Sequence, residues 1–221
     1  MNPLKSKKHA NMEKFKEQFK NLEKEDYVIY DANIIIYYCF LFEGCRILEY
    51  TRKSREITNF LIDSKTKILV PTFIIDEIER KGISEIINDY LENPSNIVGC
   101  KTIRPAQHLA MYYKIKERFS KLKEENWFEI DNYKLNSNQL NEIKTFFKSR
   151  EKTKKMQKLL KKKRKHNPIP SKADLGLILF SKEKESILLT NDRDITCFSS
   201  ELKEEGFSYE IINLKEDIKY I

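Results

Sequence analysis

The stretch Tyr27–Ile36, which reads YVIYDANIII, decides the fold. Four β-branched or aromatic residues form a short run typical of a buried strand, and apolar residues resume after Asp31 with the spacing of a helix. We expect a strand from Tyr27 to Asp31, central in its sheet, and a helix from Asn33 to Phe42. An acid between a strand and a helix is typical of α/β proteins, so a parallel sheet is predicted.

Three more acidic positions occur in a similar setting farther along the chain. Glu77 lies in VPTFIIDEIER (residues 70–80), Asp174 in SKADLGLILF (171–180), and Asp192 with Asp194 in ILLTNDRDI (187–195). The carboxyl ends of parallel strands share one edge of a sheet, so we expect these acids to meet Asp31 there. Gathered carboxylates repel one another unless a cation neutralises them, and an all-oxygen set suits Mg²⁺ or Mn²⁺.

The remaining pattern predicts a three-layer α/β/α fold with a central parallel sheet of Rossmann type and added helices. Further strands are predicted at Lys67–Val70, Ser186–Thr190 and Tyr209–Leu214, and helices at Thr51–Ile62, from Pro71 onward and at Gln107–Lys123. Residues 1–25 form a basic tail with an amphipathic helix that carries Met12, Phe15, Phe19 and Leu22. Residues 26–221 form one domain, with a helical and basic insertion at about 84–170.

The composition is that of a globular protein with many helices. Charged residues make up 34% of the 221 residues, and only 5 Gly and 6 Pro are present, which favours Lys/Glu-rich helices over an all-β fold. The longest apolar run, Ile34–Phe42, has about half the length that a membrane-spanning helix needs. The basic start of the chain has no apolar core behind it. We therefore expect a cytoplasmic protein with no membrane partner.

Other catalytic classes lack their usual residues. The cysteines Cys39, Cys45, Cys100 and Cys197 have neither the spacing of a zinc site nor that of a disulfide framework. The histidines do not pair with a nucleophile in a recognised arrangement, and the sequence has no glycine-rich phosphate loop. The pattern therefore gives little support to covalent catalysis.

Positive charge is concentrated in one segment. Lys144–Lys165 contains twelve Lys or Arg residues and a single acid, Glu151, which leaves the rest of this chain of net charge +8 mildly acidic. A basic arm on an acidic body suits the binding of a polyanion, and RNA is the expected partner, with DNA the less favoured one. Binding through this arm should weaken steeply as the salt concentration rises. The alternative is the solvated face of one helix from Ser137 to Lys165, with Ser137 as its cap. The residues expected to contact phosphates are Lys154, Lys155, Lys158, Lys161, Lys162, Lys163, Arg164 and Lys165.

Local structure offers a second interpretation for each acid. Asp31 could simply end a strand, although a buried carboxylate there is costly without a partner. The segment Ser171–Asp174 has the spacing of a capping box, and Asp192 could cap the short helix after its strand. Glu77 competes with Asp76 and Glu79 on the same predicted helix.

Taken in order, the acidic positions resemble those of the PIN-domain nucleases, metal-dependent ribonucleases that cut single strands. In that family the first strand ends in Asp, followed two residues later by a small polar residue, which Asp31 and Asn33 match. A Glu follows the second strand, matched by Glu77, and an Asp opens a later helix, matched by Asp174.

The last family motif is a strand that ends in Thr-x-Asp. Thr190-Asn191-Asp192 matches it, and Asp194 stands where some members carry a further acid. The resemblance covers residues 27–81 and 171–214, slightly under half of the chain. Asp174 follows Glu77 at an offset of 97 positions, farther than in the compact toxin members, which suggests that the insertion sets substrate choice.

The resemblance implies a metal-dependent endoribonuclease that leaves 5′-phosphate and 3′-hydroxyl ends. On this interpretation Asp31 and Asp192 hold the principal Mg²⁺ or Mn²⁺. Glu77 and Asp174 help to position a second ion or the attacking water. Asp174 and Asp194 complete the metal ligands.

Other residues would support these ligands and the substrate. Asn33 and Thr190 are expected to hydrogen-bond to the ligands from behind. The resemblance leaves open a homodimer or a protein partner such as an antitoxin. Candidate platforms for base stacking, with core packing as the alternative, are Tyr112, Tyr113, Trp127 and Phe128.

Three other functions are left open. A catalytically silent PIN-like module would bind RNA within a larger RNA-processing assembly, and its binding would survive loss of the acids. A haloacid-dehalogenase-type phosphatase also has an Asp after its first strand, but it needs a second Asp where this chain has Asn33. A receiver-like phosphoacceptor would need a lysine near the site, which the sequence does not identify.

Overall fold

The computed structural model describes residues 19–20, 22–40, 49–85, 87, 105–163 and 166–218, and it is an α/β structure built on a five-stranded sheet. The strands lie in the order β3-β2-β1-β4-β5, and every pairing is parallel. The predicted fold class is confirmed, and the strand predicted to be central lies in the middle of the sheet. The strands are β1 (Tyr27–Tyr30), β2 (Lys67–Pro71), β3 (Phe128–Asp131), β4 (Ile187–Thr190) and β5 (Ile211–Asn213).

Helices fill the connections between the strands. A 3₁₀ turn (Leu22–Lys24) precedes β1, and β1 is joined to β2 through α1 (Ala32–Cys39) and α2 (Glu49–Asp63). Between β2 and β3 lie α3 (Thr72–Glu77), a π-helical turn that continues it (Ile78–Gly82), and α4 (Pro105–Leu122). Between β3 and β4 lie α5 (Ser137–Ser149), α6 (Lys154–Lys163) and α7 (Lys172–Glu183). Between β4 and β5 lie α8 (Arg193–Thr196) and α9 (Ser199–Glu204).

The strand order determines which face of the sheet each group of helices covers. Parallel strands are joined by right-handed crossovers, and the chain moves outward from β1 through β2 to β3 before it returns past β1 to β4 and β5. Helices α1–α4 therefore cover one face and α5–α9 the other, which gives the three layers of the prediction. The packing agrees, because α1 contacts α2 and α4, and α5 contacts α7.

The central strands are apolar because helices cover both faces of the sheet. Val28, Ile29 and Leu188 are fully buried. Burial of each such side chain stabilises the fold by about 1.5–3 kcal/mol. Phe19 and Leu22, from the predicted N-terminal amphipathic segment, are also buried in this core. Residues 1–18, which include the rest of that segment, lie outside the described residues.

The predicted elements lie where the pattern placed them, with ends that differ by up to three residues. The main correction concerns the helix predicted from Ser137 to Lys165, which is two helices with a break at residues 150–153. After the break, the hydroxyl of Thr153 accepts a hydrogen bond from the Met156 N–H at 3.2 Å and so caps the new helix. The cap of α5 is Asn136 rather than Ser137, since its Oδ1 accepts from the Asn138 N–H at 2.9 Å.

Strand β3 was not predicted. Its four residues alternate between apolar and acidic side chains at the edge of the sheet, and Ile130 is 43% exposed. So short a run gives little sequence signal. Within the described part of the chain, none of the helices combines the length and the apolar character needed to cross a bilayer.

Candidate active site

Asp31 directly follows β1 at the carboxyl edge of the sheet, where β1 and β4 are neighbours. The strand order reverses direction between these two strands, and ligands of open α/β sheets bind in the crevice at such a reversal. Asp31 is only 5% exposed. It is the N-cap residue of α1, yet its side chain makes no cap hydrogen bond. A capping role therefore does not explain this buried acid.

Two other side chains hold the carboxylate of Asp31. Asn33 Nδ2 and the Thr190 hydroxyl each donate a hydrogen bond of 2.5 Å to Asp31 Oδ2. Thr190 Oγ1 also accepts from the Asp192 N–H at 3.0 Å, and Asn33 Oδ1 accepts from the Asn191 N–H at 3.2 Å. Neither bond to the carboxylate uses its Oδ1 atom. The two residues predicted as hydrogen-bonding partners thus join the ends of β1 and β4 through Asp31.

Asp192 begins the short helix α8 at the end of β4. Its Oδ1 accepts a hydrogen bond from the Asp194 N–H at 2.8 Å, so Asp192 is a true helix cap. Asp194 is buried in the first turn of that helix. Thr190 contacts both the carboxylate of Asp31 and the N–H of Asp192, so one side chain links the two predicted principal ligands.

Asp174 lies in the first turn of α7, in the capping box that the sequence predicts. Ser171 Oγ accepts from the Asp174 N–H at 3.1 Å, and Asp174 Oδ2 accepts from the Ser171 N–H at 2.9 Å. The side chain of Phe73 on α3 reaches α7, because a Cβ atom built on Gly176 would lie 2.9 Å from its ring. The charge of Glu77 is among the causes that raise the pKa of Asp174, so the two acids lie in the same neighbourhood.

Glu77 ends α3 and is partly buried, whereas Asp76 beside it is exposed. Burial raises the pKa of Glu77, the charge of Lys81 opposes the rise, and Asp192 is among the charges that add to it. This coupling supports Glu77 rather than Asp76 as the site residue. The sequence analysis did not predict that Lys81 would act on Glu77. Its position four residues after Glu77 on a helix was the available signal, because side chains at that spacing are neighbours.

The four acids also act on one another. Burial raises the pKa of Asp31 to about 7, and the nearby charge of Asp174 is the next contribution. The hydrogen bond from Thr190 opposes this rise, and Asp192 and Glu77 add to it. Burial and then Asp192 raise the pKa of Asp174 to about 6. The fold therefore brings together the four acids predicted to be catalytic, while Asp194 is not among the main causes of these shifts.

This set of side chains fits a hard divalent cation. All four supply carboxylate oxygens, the ligands that Mg²⁺ and Mn²⁺ prefer. The raised pKa values of Asp31, Glu77 and Asp174 indicate desolvated negative charge that neighbouring positive charge does not balance. In the described residues, no group of three or more His, Cys, Asp or Glu side chains forms a ready-made metal site.

The basic arm is an ordered helix over the part that the structure describes. Met156 and Leu159 of α6 are 1% and 7% exposed and fix its inner side to the protein. Lys155 pairs with Glu201 of α9, and its Nζ lies 4.8 Å from the centre of the Phe198 ring. Lys155 is also among the residues predicted to contact phosphate, and that role stays a prediction.

The other predicted phosphate contacts divide into two groups. The exposed lysines on the outer side of α6 are Lys154, Lys158, Lys161 and Lys162. The side chain of Lys163, and all of Arg164 and Lys165, lie outside the described residues. Eight positions separate Lys163 from Ser171 at the start of α7, so the end of the basic helix is within at most about 29 Å of that cap.

The four aromatic residues proposed for base stacking have different surroundings. Phe128 is 5% exposed and belongs to the core. Tyr113 is 59% exposed on α4, and its ring meets Tyr112 edge-on at 5.6 Å. Trp127 is partly buried and lines a cavity. Only Tyr112, Tyr113 and Trp127 therefore stay available for stacking.

Comparison with known proteins identifies no relative of this chain. No protein-family model matches it, and neither a curated protein nor a solved structure is significantly similar to it. The resemblance to the PIN-domain nucleases therefore rests on the motif residues and on their placement in the fold.

Proposed function

We propose that this chain is a PIN-like endoribonuclease that hydrolyses the phosphodiester bonds of RNA with the help of Mg²⁺ or Mn²⁺. The observation that carries the proposal is the arrangement around Asp31, a buried carboxylate at the reversal of strand order that Asn33 and Thr190 hold in place. Such a carboxylate, with three other acids nearby, costs stability. A bound cation would offset this cost and would give the acids a common role.

The residues of the site would divide the work as follows. Asp31 and Asp192 would hold the principal ion, and Glu77 and Asp174 would position a second ion or the attacking water. A bound Mg²⁺ or Mn²⁺ lowers the pKa of a water molecule and neutralises negative charge that develops on the phosphate. Thr190 fixes the orientation of the Asp31 carboxylate through its hydrogen bond. The outer lysines of α6 would hold the RNA backbone by its phosphates.

A catalytically silent RNA-binding module is the second candidate. The exposed lysines of α6 favour it, because the helix that carries them is fixed by its own packing through Met156 and Leu159. This surface does not depend on the four acids. On this alternative, RNA binding would survive replacement of the acids and no cleavage would accompany it.

The two candidates are separated by a cleavage experiment. Purified protein would be incubated with end-labelled single-stranded RNA and DNA of the same sequence, with Mn²⁺, Mg²⁺ or EDTA. Cleavage of RNA that requires the metal and leaves 5′-phosphate ends would support the nuclease, and the DNA arm would identify the preferred polymer. Binding without cleavage in either metal would contradict the nuclease and favour the silent module.

Replacing Thr190 by valine is expected to weaken Mn²⁺ binding about ten- to a hundredfold. The change removes the hydroxyl that donates to Asp31 Oδ2 and accepts from the Asp192 N–H, so both ligands lose a fixed orientation. Calorimetric titration with Mn²⁺ measures the effect. Thr145→Val, an exposed position on α5, is the control, and equal affinities in the two variants would count against this role.

The outer face of α6 is expected to account for much of the salt dependence of RNA binding. Neutralising three exposed lysines should reduce the slope of log affinity against log salt by about 2, since each phosphate contact to a single strand contributes about 0.7. Binding would be measured in EDTA at several salt concentrations. The variant would carry Lys158→Gln, Lys161→Gln and Lys162→Gln.

A matched variant makes this test specific to the surface. It would neutralise three exposed lysines elsewhere in the described chain, Lys114, Lys116 and Lys134. This control removes the same total charge, so an equal fall in slope would mean that α6 is not the RNA-binding surface.

A further inference from the structure

A cavity with cationic and aromatic side chains in its wall lies away from the carboxylates, toward the opposite edge of the sheet. It has a volume of about 290 Å³, near the lower end of the range of roughly 300–1,000 Å³ for ligand pockets. Its walls come from the end of α1 at Cys39, from α2, from the second half of α4 and from Trp127. Trp127 immediately precedes β3, so this cavity is at the amino-terminal edge, whereas Asp31 is at the carboxyl edge.

The cavity carries an excess of positive charge. Arg55, Arg118 and Lys121 line it, against a single acid, Glu125. Within the described parts of the chain, neither arginine forms an ion pair with a carboxylate; Lys121 pairs with Glu117 at the surface. Burial and the like charge of Arg118 lower the pKa of Arg55. The two guanidinium groups are thus close enough to repel each other in a partly dry site.

Helix capping accounts for part of this arrangement. Arg118 Nη1 donates to the carbonyl oxygen of Cys39 at 3.2 Å, and Arg55 Nη2 donates to that of Phe40 at 3.5 Å. Cations stabilise the carboxyl end of a helix such as α1. Each guanidinium has five N–H donors, however, and these bonds use one donor from each. The remaining donors suit the oxygens of a phosphate, which arginine recognises in a bidentate manner.

Aromatic side chains form another part of the wall. The rings of Tyr38 and Trp127 meet edge-on with their centres 6.1 Å apart, and both residues are partly buried. A partly exposed aromatic face beside a phosphate-binding group is the arrangement that proteins use to stack a base. The cavity therefore combines the two chemistries that recognise a nucleotide.

We propose that this cavity binds a nucleoside phosphate, with Arg55 and Arg118 on the phosphate and Tyr38 and Trp127 against the base. The ligand is a free mononucleotide or the 5′-phosphorylated end of a nucleic acid strand, which share this chemistry. The site uses none of the four acids and needs no metal. Its test is therefore independent of the proposed nuclease activity.

Trp127 supplies a direct readout, because it is the only tryptophan in the chain. Its fluorescence would be recorded in EDTA during titration with uridine 5′-monophosphate, with uridine and inorganic phosphate titrated separately. The expected result is a saturable change with the nucleotide and binding at least about tenfold weaker for either fragment, since each lacks one of the two contacts. Inorganic phosphate that binds as tightly as the nucleotide would overturn the proposed base contact.

Variants of the cavity residues test whether the fluorescence change comes from a nucleotide bound in the cavity. Arg55→Met and Arg118→Met should each weaken nucleotide binding about tenfold or more, and Arg80→Met, exposed on another helix, should leave it unchanged. If loss of the capping bonds unfolds both variants, Lys121→Met tests the site instead. The Lys121 side chain is 69% exposed and caps no helix in the described structure. This variant should weaken binding about threefold.

A 5′-phosphorylated tetranucleotide and its 5′-hydroxyl form distinguish the two sources of the ligand. Saturable binding of the mononucleotide, with no binding of either tetranucleotide, would identify the ligand as a free nucleotide. Tighter binding of the phosphorylated tetranucleotide would identify it as the end of a strand. The absence of a saturable Trp127 signal with any of these ligands would overturn the proposal. A signal that persists unchanged in the folded variants of Arg55, Arg118 and Lys121 would overturn it as well.

Discussion

The Asp31→Asn variant is expected to lose metal-dependent cleavage of RNA by on the order of 10³-fold in kcat. Asparagine has the same shape and keeps an oxygen for the hydrogen bonds from Asn33 and Thr190. It carries no negative charge, however, so the principal ion would lose its most deeply buried ligand. The measurement is the single-turnover rate on labelled single-stranded RNA at saturating Mn²⁺.

Asp76→Asn is the matched control for this loss. It makes the same chemical change at an exposed position beside Glu77 and should cleave at nearly the wild-type rate. A rate for Asp31→Asn within about tenfold of wild type would mean that Asp31 is not a principal ligand. Circular dichroism of both variants would verify that each has the wild-type helix content.

Without metal, the same substitution is expected to stabilise the protein at neutral pH. Folding raises the pKa of Asp31 from 3.8 to about 7, so the folded state binds a proton at this group more tightly than the unfolded state. Below the lower pKa, Asp31 is protonated in both states and does not change the free energy of unfolding. As the pH rises toward the higher value, the free energy of unfolding falls. Removing the charge should therefore raise the free energy of unfolding at neutral pH by about 2–4 kcal/mol.

Urea unfolding in EDTA, from about pH 4 to about pH 8, measures this effect. The wild-type and Asp31→Asn curves should converge at the acidic end, separate as the pH rises from about 4 toward the pKa of about 7, and run parallel above it. The Asp76→Asn curve should follow wild type throughout. Wild-type and Asp31→Asn curves that stay parallel over the whole range would contradict the account of Asp31 as a strained carboxylate. A substitution that stabilises the protein while abolishing activity is the behaviour expected of a functional site.

The fold could be predicted largely because its strands are buried on both faces. Strands β1 and β4 are short, mostly apolar runs, and an acid at the start of a helix follows each within two residues. The edge strand β3 lacks such a run, because Ile130 faces solvent and only one neighbouring strand supports it. The break between α5 and α6 lies where apolar residues are missing from the sequence, and Thr153 caps the helix that follows.

The candidate site was predictable to the extent that sheet geometry gathers strand ends. Asp31 and Asp192 lie near each other because their strands are neighbours in the sheet. The sequence could not indicate that Asp31 avoids its capping role, since the position and residue type are those of an ordinary cap. It also could not separate Lys155 from its neighbours, because the pairing with Glu201 joins residues 46 positions apart.

The nucleotide cavity left no sequence signal for a related reason. Its cationic and aromatic residues come from α1, α2, α4 and the residue before β3, and none of them forms a local motif. Tyr38 and Trp127 are 89 positions apart, yet their rings are in contact. Only the folded structure brings such residues together.

Calorimetric titration of Mn²⁺ into the wild-type protein and into Asp31→Asn tests most directly the claim that the four acids form a site for a divalent cation. We expect saturable binding to wild type, binding at least about tenfold weaker to Asp31→Asn, and unchanged binding to Asp76→Asn. Failure of wild type to bind Mn²⁺, or equal affinities in wild type and Asp31→Asn, would contradict the claim.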